Sequence, residues 1–318
     1  MIPDLNEFDQ QAEIERITAQ MRAALRKLKR RGFIIAVSGG IDSAACAGLA
    51  VRAVGSERVY GILLPERDSS SETGDRGQEI VEDLGIRWER QNIEPALDAI
   101  GCYRARDEAM RSVVPEYDSS WASKIIIRGG LDTAINRFYL VIQPPGGEVR
   151  EYPLDLKPYL QIVAATNYKQ RIRKSVEYYH ADRLNYAVIG TPNRLEYDQG
   201  FFVKNGDGAA DVKPIAHLYK TQVYALARTL GLPKTVCQAT PTTDTYSLAQ
   251  TQEEFYFALP YEQMDKALWG YENGVSAEDL GRQLNLSLDS AAAVYRDIEQ
   301  KRRATAYLHE PAITIDPK

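Results

Sequence analysis

Ser38-Gly39-Gly40-Ile41-Asp42-Ser43 is the segment of this sequence best equipped for chemistry. Adjacent glycines let backbone N–H groups come close to an anion, and serines on either side add hydroxyl donors. A helix starting directly after the glycines would add its N-terminal N–H groups and dipole to the same preference. Ser38, Gly39, Gly40 and Ser43 therefore form a candidate phosphate cradle. Asp42 would repel a phosphate that it faced directly, so it is read as the holder of a bridging cation, Mg²⁺ by the ligand preference of hard cations. The spacing is neither GxGxxG nor GxxxxGK followed by Ser or Thr. That argues against dinucleotide-fold dehydrogenases and P-loop kinases. The competing reading is a tight turn whose serine and aspartate merely cap a helix.

A cradle of this kind needs a buried strand before it and a helix behind it. Phe33-Ile34-Ile35-Ala36-Val37 is a short continuous apolar run, the mark of a parallel strand buried on both faces. The small apolar residues from Ala44 to Val54 read as a helix packed closely on a sheet. Upstream, Ile14, Ile17, Met21, Leu25 and Leu28 recur at helical steps, and the basic stretch Arg26 to Arg31 suits a helix C-terminus. The rhythm continues with a strand over Val59 to Leu64, a helix over 75–84 and a strand over Ile86 to Ile93. A helix over Asn167 to Ala181, a strand over Tyr186 to Ile189 and a helix over Tyr219 to Leu230 follow. Strand–helix alternation predicts an α/β fold with a doubly wound parallel sheet. Beyond residue 250 the pattern is all helix, a C-terminal cap over about 250–305. Residues 101–160 break the rhythm: Tyr139 to Gln143 and Glu148 to Tyr152 flank Pro144-Pro145-Gly146-Gly147, which predicts a β-hairpin within an insertion.

Composition narrows the function classes. With 318 residues, 44% hydrophobic and 26% charged, the chain can bury a full core and is neither disordered nor fibrous. A net charge of −5 disfavours whole-surface attraction to nucleic acid or to an anionic membrane. Cys46, Cys102 and Cys237 are scattered and odd in number, so neither a disulfide framework nor a CxxC pair is expected, which fits a cytoplasmic protein. No signal-peptide core is read in residues 1–30, and no apolar run is long enough to span a membrane. His180, His217 and His309 have no metal-ligand spacing.

The glycine-rich motif resembles the pyrophosphate loop of the N-type ATP pyrophosphatases, which include NAD, GMP and asparagine synthetases and tRNA-thiolating enzymes. The second half of the chain is more specific. Gly190-Thr191-Pro192-Asn193-Arg194-Leu195-Glu196 precedes Gly200-Phe201-Phe202-Val203-Lys204-Asn205-Gly206-Asp207-Gly208-Ala209-Ala210-Asp211. Pro214-Ile215, Leu218-Tyr219-Lys220-Thr221-Gln222-Val223, Pro241-Thr242, Gln250-Thr251-Gln252-Glu253-Glu254 and Tyr261-Glu262-Gln263-Met264-Asp265 come after them. Asn167 with Arg171 and Arg173 matches an Asn-x-x-x-Arg-x-Arg helix. This ordered set closely resembles the NAD synthetase family, over about residues 12–100 and 163–300.

The resemblance implies an adenine-nucleotide alpha-hydrolase-like, Rossmann-like sheet in a single domain over 1–318. It also implies an ammonia-dependent ligase that uses ATP and Mg²⁺. Such enzymes adenylate a carboxylate, releasing pyrophosphate, and ammonia then displaces AMP to leave an amide. By the same resemblance, Ser38, Gly39, Gly40 and Ser43 hold the pyrophosphate, Asp42 and Glu196 hold Mg²⁺, and Lys220 and Thr242 grip the phosphates. Thr191 joins the nucleotide contacts, while Asn167, Arg171, Lys204, Asp207 and Asp211 match substrate positions. Lys220 and Asp42 are the expected catalytic pair. The acid is deamido-NAD or another carboxylate, because the insertion falls just before the substrate-facing helix. Ammonia is expected directly or from a separate glutaminase, and the family expectation is a homodimer.

Blander readings exist for each residue taken alone. Lys204 and Asp207 could sit in a solvated turn. Lys169, Arg171, Arg173 and Lys174 could form an exposed basic helix face, and Lys220 would start a helix against the dipole. Pro241-Thr242-Thr243-Asp244-Thr245-Tyr246 departs from the family's Pro-Ser/Thr-Ala-Asp-Leu. A tRNA-thiolating enzyme should carry a cysteine pair and a basic surface. A helix-turn-helix over about 276–303 would place Asp289, Asp297 and Glu299 on its recognition helix, which disfavours DNA binding. A nucleotide-binding scaffold without turnover is the third rival.

Overall fold

The computed structural model describes residues 1–128, 137–239, 245–250, 256–257 and 259–315. Thr242 lies outside the described residues, as do Thr251 to Glu254.

Helix α1 (Gln10–Leu28) forms where the apolar spacing places it. Asp9 caps its start by accepting from the Ala12 N–H, and Ile14, Ile17, Met21 and Leu25 are its buried face. Leu28 is exposed, because the helix stops there and Lys29 turns left-handed at φ 55°. The all-apolar β1 (Phe33–Ala36) then enters the middle of a parallel sheet. It pairs with β2 (Val59–Leu63) on one side, Phe33 opposite Val59, and with β7 (Ala187–Val188) on the other, Phe33 opposite Ala187. β3 (Arg87–Arg90) pairs with β2, giving the order β3-β2-β1-β7. A parallel bridge from Ile189 to Val212 continues the sheet beyond β7.

This order puts the topological switch point at the C-terminal end of β1, where the winding reverses between β2 and β7. Open α/β sheets bind ligands in that crevice. Helix α2 (Ile41–Val54) leaves from it, with Ala44, Ala45, Cys46, Ala47, Leu49 and Ala50 fully buried. Helices α1, α2 and α8 (Lys220–Thr229) cover one sheet face. The other face carries α4 (Glu94–Ala99), α5 (Cys102–Arg111) and α6 (Leu156–Leu184), whose Leu97, Cys102, Tyr103 and Ala181 pack on Ile34, Ile62 and Val188. The expected helix over 75–84 is α3 (Ser71–Asp83), begun earlier by a Ser70 cap.

The insertion is richer and narrower than the sequence predicts. Residues 102–111 are not part of an outlying hairpin; they are α5, built into the sheet's own core. Helix α6 likewise starts at Leu156, well before the expected Asn167. Between them, β5 (Arg137–Gln143) and β6 (Arg150–Pro153) make the expected hairpin, closed by the Gly147 N–H donating to the Pro144 carbonyl at 2.9 Å. A third strand, β4 (Ala122–Arg128), pairs with β5 from Ala122–Gln143 to Arg128–Arg137, so the element is a three-stranded antiparallel sheet.

Helices α7 (Arg194–Gln199), α10 (Tyr261–Glu272), α11 (Ala277–Leu284) and α12 (Leu288–His309) bury Leu195, Met264, Leu268, Leu280, Val294 and Ile298 in a separate cluster. This is the expected helical cap. The short α9 (Lys234–Cys237) follows α8.

Candidate active site

The loop after β1 is not consumed in capping α2. The N-cap of α2 is Gly40, which offers no side chain, so neither Ser38 nor Asp42 caps this helix. The loop is instead tied to itself. Ser43 Oγ donates to the Gly40 carbonyl at 2.9 Å and accepts from the Ser38 N–H at 3.2 Å, and Ser38 Oγ accepts from the Gly40 N–H at 3.3 Å. Gly39 sits at φ +83°, and a Cβ there would lie 2.2 Å from the Thr73 carbonyl oxygen. Gly39→Ala is therefore expected to destabilise by about 1–2 kcal/mol from backbone strain alone, before the clash is counted. The denaturant midpoint should fall; a variant with the wild-type midpoint would show that the loop does not need this geometry.

Asp42, in the first turn of α2, is the meeting point of three elements. Asn193 donates from Nδ2 to Asp42 Oδ1 at 3.1 Å. Asn193 is also the N-cap of α7, in a capping box with Glu196: its Oδ1 accepts from the Glu196 N–H at 3.1 Å, and Glu196 Oε2 accepts from the Asn193 N–H at 3.3 Å. The same box that starts the helix thus aims Glu196 and Asn193 at one place. From α8, Lys220 brings its ammonium into contact with Asp42 Oδ2 and to 3.8 Å from Glu196 Oε1. Its side chain is 2% exposed. Burial pulls the Lys220 pKa down, but the facing Asp42 and Glu196 carboxylates outweigh it, so the ammonium is held protonated.

A lysine opening a helix opposes the dipole, and Asp265 of α10 resolves this. Its carboxylate accepts from the Lys220 N–H at 3.2 Å, the Thr221 N–H at 2.8 Å and the Thr221 hydroxyl at 2.9 Å. Burial pushes the Asp265 carboxyl up to about 6, and those donors only partly offset it. A folded pKa above the unfolded 3.8 means that the folded state binds the proton more tightly. The stabilisation is therefore complete below the unfolded pKa and lost as pH rises through 6. The stability gap between wild type and Asp265→Ala should widen on acidification from pH 7 to 4, by up to about 3 kcal/mol. Urea unfolding at both pH values checks this, and a gap that narrows would mean that Asp265 is stabilised as the anion.

The remaining expected residues are placed as follows. Thr191 lies between β7 and α7, on the loop leading to Asn193. Asn167 and Arg171 are on α6, and Arg171 is exposed, its Nε donating to the Lys204 carbonyl at 3.3 Å. Lys204 does not lie free in a turn: its Nζ donates to the Tyr307 and Glu310 carbonyls at 2.7 and 2.8 Å, at the end of α12. Asp207 accepts from the Val203 N–H at 2.8 Å, and burial raises its pKa. Asp211 accepts from the Val188 N–H at 2.8 Å, at the edge of β7. The structure thus brings the loop, Asp42, Glu196 and Lys220 together, and joins Lys204, Asp207 and Asp211 to their own backbone surroundings. The basic face suggested for α6 is not an exposed one. Lys169 is buried with its Nζ 2.9 Å from Glu66 and 2.6 Å from Asp68, and Lys174 is buried 2.8 Å from Glu177. Sequence reasoning missed Asn193 and Asp265 as site residues; an Asn followed three residues later by Glu is a capping-box signal that could have found the first.

Comparison with known proteins gives the family. The family model described as NAD synthase matches residues 13–116 and 143–309. A protein of Rhizobium meliloti named NH(3)-dependent NAD(+) synthetase is 55% identical over 315 residues, 99% of this chain and 94% of the relative. The chain belongs to the NAD synthase family. A second relative with that name, from Mesorhizobium japonicum, is 50% identical over 312 residues, 97% of this chain and 98% of its own length. Two solved structures share the NAD synthase fold. An NMN synthetase from Francisella tularensis has TM-score 0.68 and 23% identity over 98% of this chain and 100% of its own. An NH3-dependent NAD synthetase from Campylobacter jejuni has TM-score 0.63 and 21% identity over 97% of this chain and 100% of its own. The NAD synthase model passes over residues 117–142, which hold β4 and most of β5, whereas the Rhizobium meliloti relative aligns across nearly the whole chain.

Proposed function

We propose that this chain is an ammonia-dependent NAD⁺ synthetase, which uses ATP to convert the carboxylate of deamido-NAD into the amide. The observation that carries the reading is the convergence of Asp42, Glu196 and Lys220 beside the Ser38–Ser43 loop, at the switch point of the sheet. In this reading the substrate carboxylate oxygen attacks the α-phosphorus of ATP, and the bond to the bridging oxygen of pyrophosphate breaks. Negative charge moves onto the leaving pyrophosphate. The N–H groups at the start of α2 and the fixed Lys220 ammonium stabilise it there without reorganising. Ammonia then attacks the acyl carbon, loses a proton, and AMP departs. The acyl-adenylate must be shielded from water between the two steps.

Asp42 and Glu196 would hold Mg²⁺. The donor set fits: both are carboxylates, and they already share one cationic partner in Lys220. Among the described residues no group of three or more His, Cys, Asp or Glu could hold a metal. Two carboxylates are enough for Mg²⁺, which is commonly bound through one or two carboxylates plus substrate phosphates. Bound there, it would neutralise phosphate charge during the transfer. Thr242 and Thr191 are read as further nucleotide contacts, and Asn167, Arg171, Lys204, Asp207 and Asp211 as acid-substrate residues.

A homodimer in the cytoplasm completes the reading. Leu156, Leu160, Tyr168 and Tyr179 are 69, 53, 39 and 65% exposed along α6, the helix that carries Asn167 and Arg171. Exposed apolar side chains along this helix suit an interface between two copies, and sedimentation of the purified chain tests it.

The deciding experiment supplies Mg-ATP, ammonium and deamido-NAD, and follows AMP, pyrophosphate and NAD⁺ together. Stoichiometric NAD⁺ and AMP support the synthetase. ATP binding with no AMP formation dependent on deamido-NAD would point to another acid. Replacing ammonium by glutamine, with and without a separate glutaminase, separates the two nitrogen sources.

A further inference from the structure

Helix α7 carries Glu196, yet it is only 6 residues long. A helix that short has no stability of its own in water, so its placement depends on what ties it to the rest of the chain. The capping box at Asn193 orders its first turn and joins it to Asp42 of α2. Its other two charged side chains lead to α10. Arg194 donates to Glu272 Oε2 at 2.7 Å. At the far end of α7, Asp198 accepts from Arg302 of α12 at 2.9 and 2.6 Å, and Arg302 donates in turn to Glu272 Oε1 at 3.0 Å. Both ends of the helix, on either side of Glu196, therefore run to one carboxylate. The contacts are charge-assisted, the strong class of hydrogen bond. The Glu272 side chain is 19% exposed, which partly shields them from salt.

The same carboxylate faces the start of α8. Tyr219, the residue before Lys220, donates to Glu272 Oε2 at 3.0 Å, and the Arg194 guanidinium lies over the Tyr219 ring at 5.1 Å from its centroid. The Arg194 N–H also donates to the Leu218 carbonyl at 2.8 Å. Helix α10 thus carries two acids, Asp265 and Glu272, about two turns apart. Asp265 accepts from the Lys220 and Thr221 N–H groups and fixes α8. Glu272 ties α7 to that frame.

We propose that Glu272 is a positioning residue for the metal site: acting through Arg194 and Arg302, it sets where the Glu196 carboxylate stands relative to Asp42 and Lys220. Glu272 touches no reacting atom. The inference rests on the reading of Asp42 and Glu196 as the Mg²⁺ carboxylates. Mg²⁺ demands near-ideal ligand geometry, and a helix of this length cannot supply that precision alone. Lys220 has its own anchor in Asp265, so loss of the Glu272 tie should move Glu196 and leave the lysine in place.

The test uses the full-length chain with Glu272→Gln, which keeps the shape and removes the charge and one acceptor oxygen. In calorimetric titration the variant should bind Mg-ATP about tenfold more weakly, the scale on which partners behind a metal ligand act. Binding of ATP in EDTA should stay within about twofold of wild type, because Lys220 and the Ser38–Ser43 loop are unmoved. Half-saturating Mg²⁺ for pyrophosphate release should rise in parallel with the loss of Mg-ATP affinity. Arg194→Met cuts the same tie from α7 and should repeat this split; it decides the question if Glu272→Gln does not fold. The two substitutions together should weaken Mg-ATP binding no more than Glu272→Gln alone, since they remove a shared interaction. A lower melting temperature with wild-type Mg-ATP affinity would overturn the proposal and leave Glu272 a purely stabilising residue. Equal weakening in Mg²⁺ and in EDTA would overturn it too, as a general loosening of the site. Wild-type protein that binds ATP equally in Mg²⁺ and in EDTA would overturn the metal reading itself, and this inference with it.

Discussion

Asp42→Ala should lose about three orders of magnitude in pyrophosphate release, the scale on which fixed charges in transferring-phosphate sites act, while keeping its fold. The asymmetry follows from where Asp42 sits. Its side chain is 16% exposed and packs no core. Its structural work is to accept from Asn193 and to pair with Lys220. Stripping one partner from a buried lysine is costly, but Glu196 stays within 3.8 Å of the ammonium. Stability should therefore fall by only about 1–3 kcal/mol, and circular dichroism should stay native. Asp42→Asn separates charge from shape: it can keep the contact with Asn193 but cannot neutralise a cation. It should be as inactive as the alanine variant and closer to wild type in stability. Turnover by Asp42→Asn within tenfold of wild type would remove Asp42 from the metal and leave it a structural partner of Lys220.

The contrast between what could and could not be read from the sequence has a physical cause. β1, its loop and α2 were legible because each announces itself locally: an unbroken apolar run, two glycines, then small residues. Helix α5 and strand β4 were not. No local pattern marks Arg106 and Asp107 as buried, yet they are 2 and 5% exposed: Asp68, from the loop after β2, pairs with Arg106, and Arg106 pairs in turn with its neighbour Asp107. The first turns of α6 were missed for a related reason. That helix is covered on different sides at different heights, so Ile162, Ala165, Lys169 and Lys174 are all buried and no single stripe marks it.

The site divides along the same line. Ser38, Gly39, Gly40, Asp42 and Ser43 share one local motif. Glu196 and Lys220 became candidates through the order of distant segments, and the structure draws them to Asp42. Asn193 and Asp265 act by holding other site residues, a role that appears only once the helices are packed. Lys204 shows the limit from the other side, since its ammonium is engaged by the carbonyls at the end of α12, a contact across more than a hundred residues.

Lys220→Met tests the centre of this arrangement. Methionine keeps most of the stem's volume and removes the charge. Activity should fall by about 10³–10⁵-fold, the range in which a single cation at a transferring phosphate acts. Lys220→Arg should rescue little, because a planar guanidinium does not fit a pocket closed around a compact ammonium. The variant also reports on the metal without turnover. With the lysine gone, Asp42 and Glu196 lose the cation they share, so free Mg²⁺ should raise the melting temperature of Lys220→Met more than that of wild type. In wild type the ammonium already neutralises the pair, and its raised pKa keeps it protonated through the alkaline range, so the pH–rate profile should show no limb from Lys220 below pH 10. An alkaline limb that disappears in Lys220→Arg would mean that this lysine gives up its proton during turnover. In that case it would act as an acid–base group, and the electrostatic role assigned to it would fall.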